Sequence, residues 1–146
     1  MSAETDMMKL YSQRILALAA DMPHTARLID PVATAKRRAP LCGSTVTVDV
    51  MVADDVIAGY GQDVKACALG QAAAAVVGGA IVGLHVDQVR VGRDQMRAML
   101  KDDGPVPDAP FDGLEVLTPA RDYKNRHASI MLAFDATIDA LDSLST

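Results

Sequence analysis

Cysteine is scarce in this 146-residue chain, with two in all, and basic residues are outnumbered, 14 Lys and Arg against 19 Asp and Glu for a net charge of -5. Two thiols allow at most one disulfide. The acidic balance leaves no electrostatic footprint for nucleic acid or an anionic membrane surface, which points to proteins or small species as partners. Long apolar runs are missing too. The longest, Ala72 to Leu84, has 13 residues including three glycines, well short of the ~20 that span a bilayer. The N-terminus has acidic residues early and no basic region ahead of an apolar core, so no signal peptide is expected. The expected compartment is the cytoplasm, whose reducing conditions favour free thiols or metal ligands over a disulfide. There is no internal repeat, and the only biased tract is a run of alanines. The segment "GGAIVG" lacks the lysine and the strand-loop-helix setting of a phosphate loop.

What is present is a chain of 15.4 kDa that is 50% hydrophobic, enough for one domain spanning residues 1–146 with a sizeable core. Leu10, Ile15, Leu16 and Leu18, behind Thr5 and Asp6 as caps, predict a first helix from about Asp6 to Ala20. Prolines at 23, 31 and 40 interrupt helix formation and leave "VATAKRRA", Val32 to Ala39, as a short strand or irregular arm. The segment Ser44 to Val52 alternates valines at 46, 48, 50 and 52 with Thr45, Thr47, Asp49 and Met51, the period of a half-buried strand. A second strand from about Val56 to Val64 follows across Ala53, Asp54 and Asp55, a break short enough for an antiparallel hairpin.

After Cys67 the character becomes that of an alanine-rich helix to about Leu84. A second helix runs from about Asp87 to Lys101, and Asp102 to Pro110 form a loop. The run from Arg121 to Leu141 spaces Ile130, Phe134, Ile138 and Leu141 as a long closing helix. One helix, a small sheet and then more helices predict an α+β fold, a small antiparallel β-sheet covered on one face by helices. His85 is read as a C-terminal cap of the glycine-rich helix, His24 as a solvated loop residue, and "VVGGAIVG" as a close internal helix contact.

The two cysteines carry the chemistry. Cys67 stands where a strand gives way to a helix, so free backbone N–H groups and the positive end of the macrodipole favour a thiolate there. Cys42 enters the hairpin beside Gly43, where the backbone can turn tightly or approach a ligand closely. The two sulfurs are then expected to meet at one end of the sheet. A free cysteine is also among the most buried residue types and often acts as a small hydrophobe, so packing is the competing reading.

In order and spacing, the motifs "LYSQRIL", Cys42-Gly43-Ser44, "ACALGQAAAA" and "RHASIML" make the chain resemble the U-type iron–sulfur cluster assembly scaffolds, the NifU-like N-terminal domain family, over nearly its whole length. The corresponding family motifs are a first helix with "LY…IL", a Cys-Gly-Asp turn, "GC-x-[IL]-S" opening a helix, and "R-x-x-C-x-x-L" opening the last one. The resemblance implies the NifU/IscU-like scaffold fold and a scaffold or carrier rather than a turnover enzyme. It further implies a transient iron–sulfur cluster, or a zinc or iron ion, on Cys42 and Cys67, with cysteine desulfurase and iron–sulfur acceptor proteins as partners of a monomer or weak homo-oligomer.

Two of the family's four usual ligand positions differ here. Ser44 replaces the aspartate of the Cys-Gly-Asp turn, and Ser129 stands where the third cysteine belongs. Ser44 and Ser129 are thus candidate site residues, although serine is a poor ligand for soft metals beside thiolate. His127 is chemically the better donor and would complete a Cys-Cys-His site with one open position; a histidine near a helix start is equally read as solvated. The run "RDYKNRH" differs from the Pro-Pro-Val-Lys motif by which some members engage a dedicated chaperone. Cys42, Cys67 and the Arg126 to Ser129 segment are expected to converge at one end of the sheet. Two alternatives stand beside the scaffold: a zinc-dependent sulfur acceptor taking a persulfide on Cys67 or Cys42, and a degenerate paralogue with only a protein-binding role.

Overall fold

The alternating valines of the middle strand set the architecture. In the computed structural model, which describes residues 12–40 and 43–144, β1 (Ala33–Arg38), β2 (Thr45–Ala53) and β3 (Val56–Lys65) form one antiparallel sheet in the order β1-β2-β3. Val46, Val48 and Val50 are at most 1% exposed. They pair with Val64, Gln62 and Tyr60 on β3 and with Arg37, Ala35 and Ala33 on β1, so one face of all three strands looks into the core. The β2–β3 connection is a two-residue turn with both φ angles positive, Asp54 at 54° and Asp55 at 62°. That is the turn whose twist suits a hairpin.

Helices cover this inner face. α1 (Gln13–Ala20) and α2 (Ala68–Ile81) pack together. The closing helix, here α4 (Lys124–Ser143), lies across β1 and β2 and against α2. Ala72 to Ala75 of α2 are all buried, and such small side chains let neighbouring helices come close. Ile130, Phe134, Ile138 and Leu141 of α4 are buried, as expected from their spacing. α3 (Val86–Lys101) packs on α4. Between them the chain makes an eleven-residue run of 3-10 turns, Asp112–Asp122, which the sequence pattern did not distinguish from loop and helix start. The predicted beginning of the first helix, Asp6 to Leu10, lies outside the described residues.

Two boundaries differ from expectation. The alanine-rich helix ends at Ile81 rather than Leu84, because residues 83 and 84 turn back to pair with β3. Gly83 donates to the Ile57 carbonyl at 2.8 Å and Ile57 donates to that of Leu84 at 2.8 Å. His85 is therefore not a cap for the helix before it. It is the N-cap of α3: its Nδ1 accepts the Asp87 N–H at 3.1 Å, and its own N–H donates to Gln88 Oε1 at 3.0 Å. Those bonds satisfy donors that a helix start leaves without partners.

Among the described residues, no helix crosses the outer face of the sheet. Its middle is covered by the segment 24–28, which is tied down at two points. His24 accepts the Gln62 N–H at 2.8 Å. The fully buried carboxylate of Asp49 receives the Arg27 guanidinium, the Leu28 N–H at 3.1 Å and the Thr34 hydroxyl at 2.6 Å. The Arg27 hydrogen bond is the main reason that this carboxyl is held below the usual aspartate range, outweighing the cost of its burial. His24 is exposed, with its ring edge-on to that of Tyr60.

Candidate functional site

The inner-face register brings three separated pieces of chain to one end of the sheet. β3 ends at Lys65, opposite Thr45 at the start of β2, and two residues later Cys67 is the N-cap of α2. Its backbone is extended (φ -67°, ψ 170°), and its carbonyl accepts the Gln71 N–H at 2.9 Å as the helix begins. The side chain takes no part in capping and is half-buried, which leaves the sulfur free for other work.

From β2's other flank comes Ser44. The β1–β2 loop is closed by the Ala39 N–H donating to the Ser44 carbonyl at 2.8 Å and the Gly43 N–H donating to the Ala39 carbonyl at 3.0 Å. Gly43 has φ +72°, a conformation that costs glycine nothing and other residues strain. Cys42 itself lies outside the described residues. Its chain neighbour Gly43 is placed by this loop at the same sheet end as Cys67.

Ser129 comes from α4 and completes the cluster. Its hydroxyl is 3.6 Å from Cys67 Sγ and donates to Ser44 Oγ at 3.2 Å. Ser129 is 1% exposed and Ser44 6%. α4 can come this near α2 only because position 70 is glycine: a Cβ there would stand 2.8 Å from Ser129 Oγ and 3.1 Å from the Ser129 carbonyl. Sequence reasoning passed over Gly70. The available signal was a glycine in the first turn of an otherwise alanine-rich helix, where a close approach is the usual reason to forgo alanine.

His127 is not part of this cluster. Two residues before Ser129 on a helix, it points about 200° away. Its Nε2 is engaged with the carbonyls of Ala120 at 2.9 Å and Arg121 at 3.1 Å, and the ring is buried rather than solvated. It lines a different feature, a groove of about 750 Å³ between α3 and α4 bordered by Arg97, Lys101 and Asp135, which Cys67, Ser44 and Ser129 do not border. With its Nε2 fastening the 3-10 run to α4, the ring is directed to that run and not to the Cys67–Ser44–Ser129 cluster. Among the described residues, no three His, Cys, Asp or Glu side chains are grouped to hold a metal ion.

The whole chain has a close counterpart of known structure. The N-terminal part of a nitrogen-fixing NifU-like protein from Brucella abortus is 41% identical, with 96% of this chain and 97% of that one superposed at a TM-score of 0.94. The chain belongs to the NifU-like family of U-type iron–sulfur cluster scaffolds. Two further structures share the fold at lower identity. One is a candidate iron–sulfur cluster assembly scaffold protein for the SUF system from Fervidobacterium islandicum AW-1, with 17% identity, 92% of this chain, 98% of that one and a TM-score of 0.82. The other is a hypothetical protein, with 19% identity, the same coverages and a TM-score of 0.78. No protein-family profile and no curated protein matches the chain. Within the NifU-like family, the three-stranded antiparallel sheet with helices on its inner face is the expected scaffold fold, and such scaffolds are in general not enzymes. No helix among the described residues is long and apolar enough to cross a membrane.

Proposed function

We propose that this NifU-like chain is a single-domain carrier on which a transient iron–sulfur cluster, or an iron or zinc ion, is held by Cys42 and Cys67 and later passed to an acceptor protein. The observation that carries this reading is the placing of the Cys67 sulfur: half-buried, unused in capping its helix, and facing the Ser129–Ser44 hydroxyl pair. Thiolates are the donors that soft iron and zinc select, whereas a hydroxyl has to lose a proton of high pKa before it can ligate. Ser44 and Ser129 are accordingly hydrogen-bonding residues around the sulfur, and the cargo's remaining positions are filled by ligands that arrive with it. Sulfur is supplied by a cysteine desulfurase, and iron–sulfur proteins receive the product.

The test is anaerobic reconstitution with iron and sulfide, followed by visible absorbance and metal analysis. Wild type should acquire colour and stoichiometric iron, and Cys42→Ala and Cys67→Ala should each lose it. Single-cysteine variants that load like wild type would overturn the assignment. A colourless wild type carrying one zinc and a persulfide on either cysteine would instead favour the sulfur-acceptor reading.

A further inference from the structure

Ser129 departs from the habit of its own helix. Thr137 and Ser143, also on α4, turn their hydroxyls back to carbonyls of that helix, Thr137 to Ala133 at 2.7 Å and Ser143 to Ala140 at 2.6 Å, the ordinary recourse of a helical hydroxyl. Ser129 instead donates across to Ser44 Oγ at 3.2 Å. Both serines are buried, so water has little access to either hydroxyl. The close packing at Gly70, where a Cβ would stand 2.8 Å from Ser129 Oγ, fixes the oxygen between two neighbours, Ser44 Oγ and Cys67 Sγ.

A hydroxyl has one proton and two lone pairs. With the Ser129 proton on the Ser44 bond, Ser129 Oγ turns a lone pair to Cys67 Sγ at 3.6 Å. That arrangement suits a thiol, whose S–H donates to the oxygen. It does not suit a thiolate, which only accepts. Metal or cluster binding takes the thiolate: the S–H bond breaks, its proton leaves to solvent, and a sulfur electron pair forms the bond to the metal. The sulfur then carries negative charge beside an oxygen lone pair. Turning the Ser129 O–H toward it relieves the conflict, by a rotation about Cβ–Oγ that moves no heavy atom. A hydrogen bond to a charged acceptor is stronger than one between neutral hydroxyls, so the new bond more than offsets the loss of the Ser44 bond.

We propose that the Ser129 hydroxyl is a two-position donor, held on Ser44 while Cys67 is a free thiol and turned to the sulfur once Cys67 holds its cargo. This rests on the carrier reading above. Ser129 then favours the loaded state and Ser44 the empty one. If the serine pair only filled space, loss of either hydroxyl would act on binding in the same direction. As a switch the two are opposed. Without Ser129 the loaded sulfur loses its donor, whereas without Ser44 the proton has no alternative acceptor and the empty state alone is weakened.

The experiment is an anaerobic titration of the full chain with Co(II), a thiolate-binding ion whose bonds to sulfur give a charge-transfer absorption band. The proteins compared are wild type, Ser129→Ala, Ser44→Ala, the double variant and Cys67→Ala. Ser129→Ala should bind about fivefold more weakly, with the band moved to longer wavelength because the sulfur has lost its donor. Ser44→Ala should bind about threefold more tightly, with the band where wild type has it. The double variant should match Ser129→Ala, since Ser44 acts only through Ser129. Lifetimes of a reconstituted iron–sulfur cluster should follow the same order. Weakened binding in both single variants, wild-type binding in both, or an unmoved band in Ser129→Ala would overturn the proposal. If Cys67→Ala loses the band in any of those cases, the carrier reading still stands. A Cys67→Ala protein with the affinity and band of wild type overturns that reading and the switch with it.

Discussion

Two buried polar clusters lie on opposite sides of the same three strands, and they are built differently. Around Asp49 a full negative charge is enclosed by donors from Arg27, Leu28 and Thr34, with contacts of 2.6 to 3.1 Å to the last two residues and to Arg27 Nη2. Around Cys67 the groups are neutral hydroxyls, with Ser129 3.6 Å from the sulfur and bonded to Ser44 at 3.2 Å, and the cysteine remains half-exposed. Short charge-assisted bonds to a fully enclosed group fix geometry, and removing one partner is costly. Long bonds between neutral groups beside an accessible sulfur hold little and leave room for exchange. The first cluster is a fastener for the outer segment, and the second has the looser construction that the proposed carrier role requires.

Breaking the fastener should have the largest effect on stability. Asp49→Ala leaves the Leu28 N–H and the Thr34 hydroxyl without their acceptor, a loss of about 2–3 kcal/mol that thermal unfolding should register as roughly 5–10 °C. Cluster loading at the far end of the sheet should persist in the folded fraction. Acid provides an independent check. Because the Asp49 carboxyl is held below its usual range, its contribution is fully present above the unfolded-state value near 4 and is lost as pH falls through the lower folded-state value. The stability gap between wild type and Asp49→Asn should therefore be constant around neutrality and close on acidification below about pH 4. A gap that widens on acidification would mean that the carboxylate is not the stabilising form.

The same contrast explains what could be read from residues alone. The valine alternation from 46 to 52 and the Asp54–Asp55 break determine a hairpin through local rules, and the structure has both strands within a residue or two of the expected bounds. The Ala68 and Lys124 helices were visible in the same way. What was not legible depends on tertiary neighbours. Asp49 reads as an ordinary outward-facing polar residue of a half-buried strand, and only the return of segment 24–28 over that face encloses it. His85 has the same sequence surroundings whether it ends one helix or begins the next, and the pairing of Ile57 with residues 83 and 84 decides between them. At the site, the resemblance to the family brought Ser129 and Ser44 to notice as missing ligands. The side to which α4 turns Ser129 rather than His127 follows from helix phase, once the start at Lys124 is known.

His127 sharpens the comparison from the other side of α4. Its imidazole bonds to two backbone carbonyls, of which that of Ala120 also accepts the Tyr123 N–H, so His127→Ala should cost about 1 kcal/mol by removing the shared Nε2 bonds. Iron and zinc affinity of the folded protein should not change. A drop in metal affinity without a matching change in unfolding temperature would restore His127 as a ligand.

The smallest expected effect belongs to Ser129, and it bears most directly on what the site is for. Ser129→Ala removes a hydroxyl that bonds Ser44 at 3.2 Å and approaches Cys67 Sγ at 3.6 Å. Both are neutral contacts, so stability should fall by no more than about 1 kcal/mol. If the hydroxyl only orients the sulfur, cluster loading should survive with a modestly shorter lifetime. Ser129→Cys asks the complementary question, because it places a thiol where the family's third cysteine stands. Gly70 is what admits the present hydroxyl so close to α2, and sulfur, being larger than oxygen, has to displace its neighbours. A third thiolate beside Cys67 is a better soft-metal donor than any hydroxyl, so the bound cluster should persist longer and transfer to an acceptor more slowly. Loss of loading in Ser129→Ala equal to that in Cys67→Ala would make the serine a ligand in its own right. Equal cluster lifetimes in Ser129→Cys and wild type would show that cargo retention is set elsewhere than at this position.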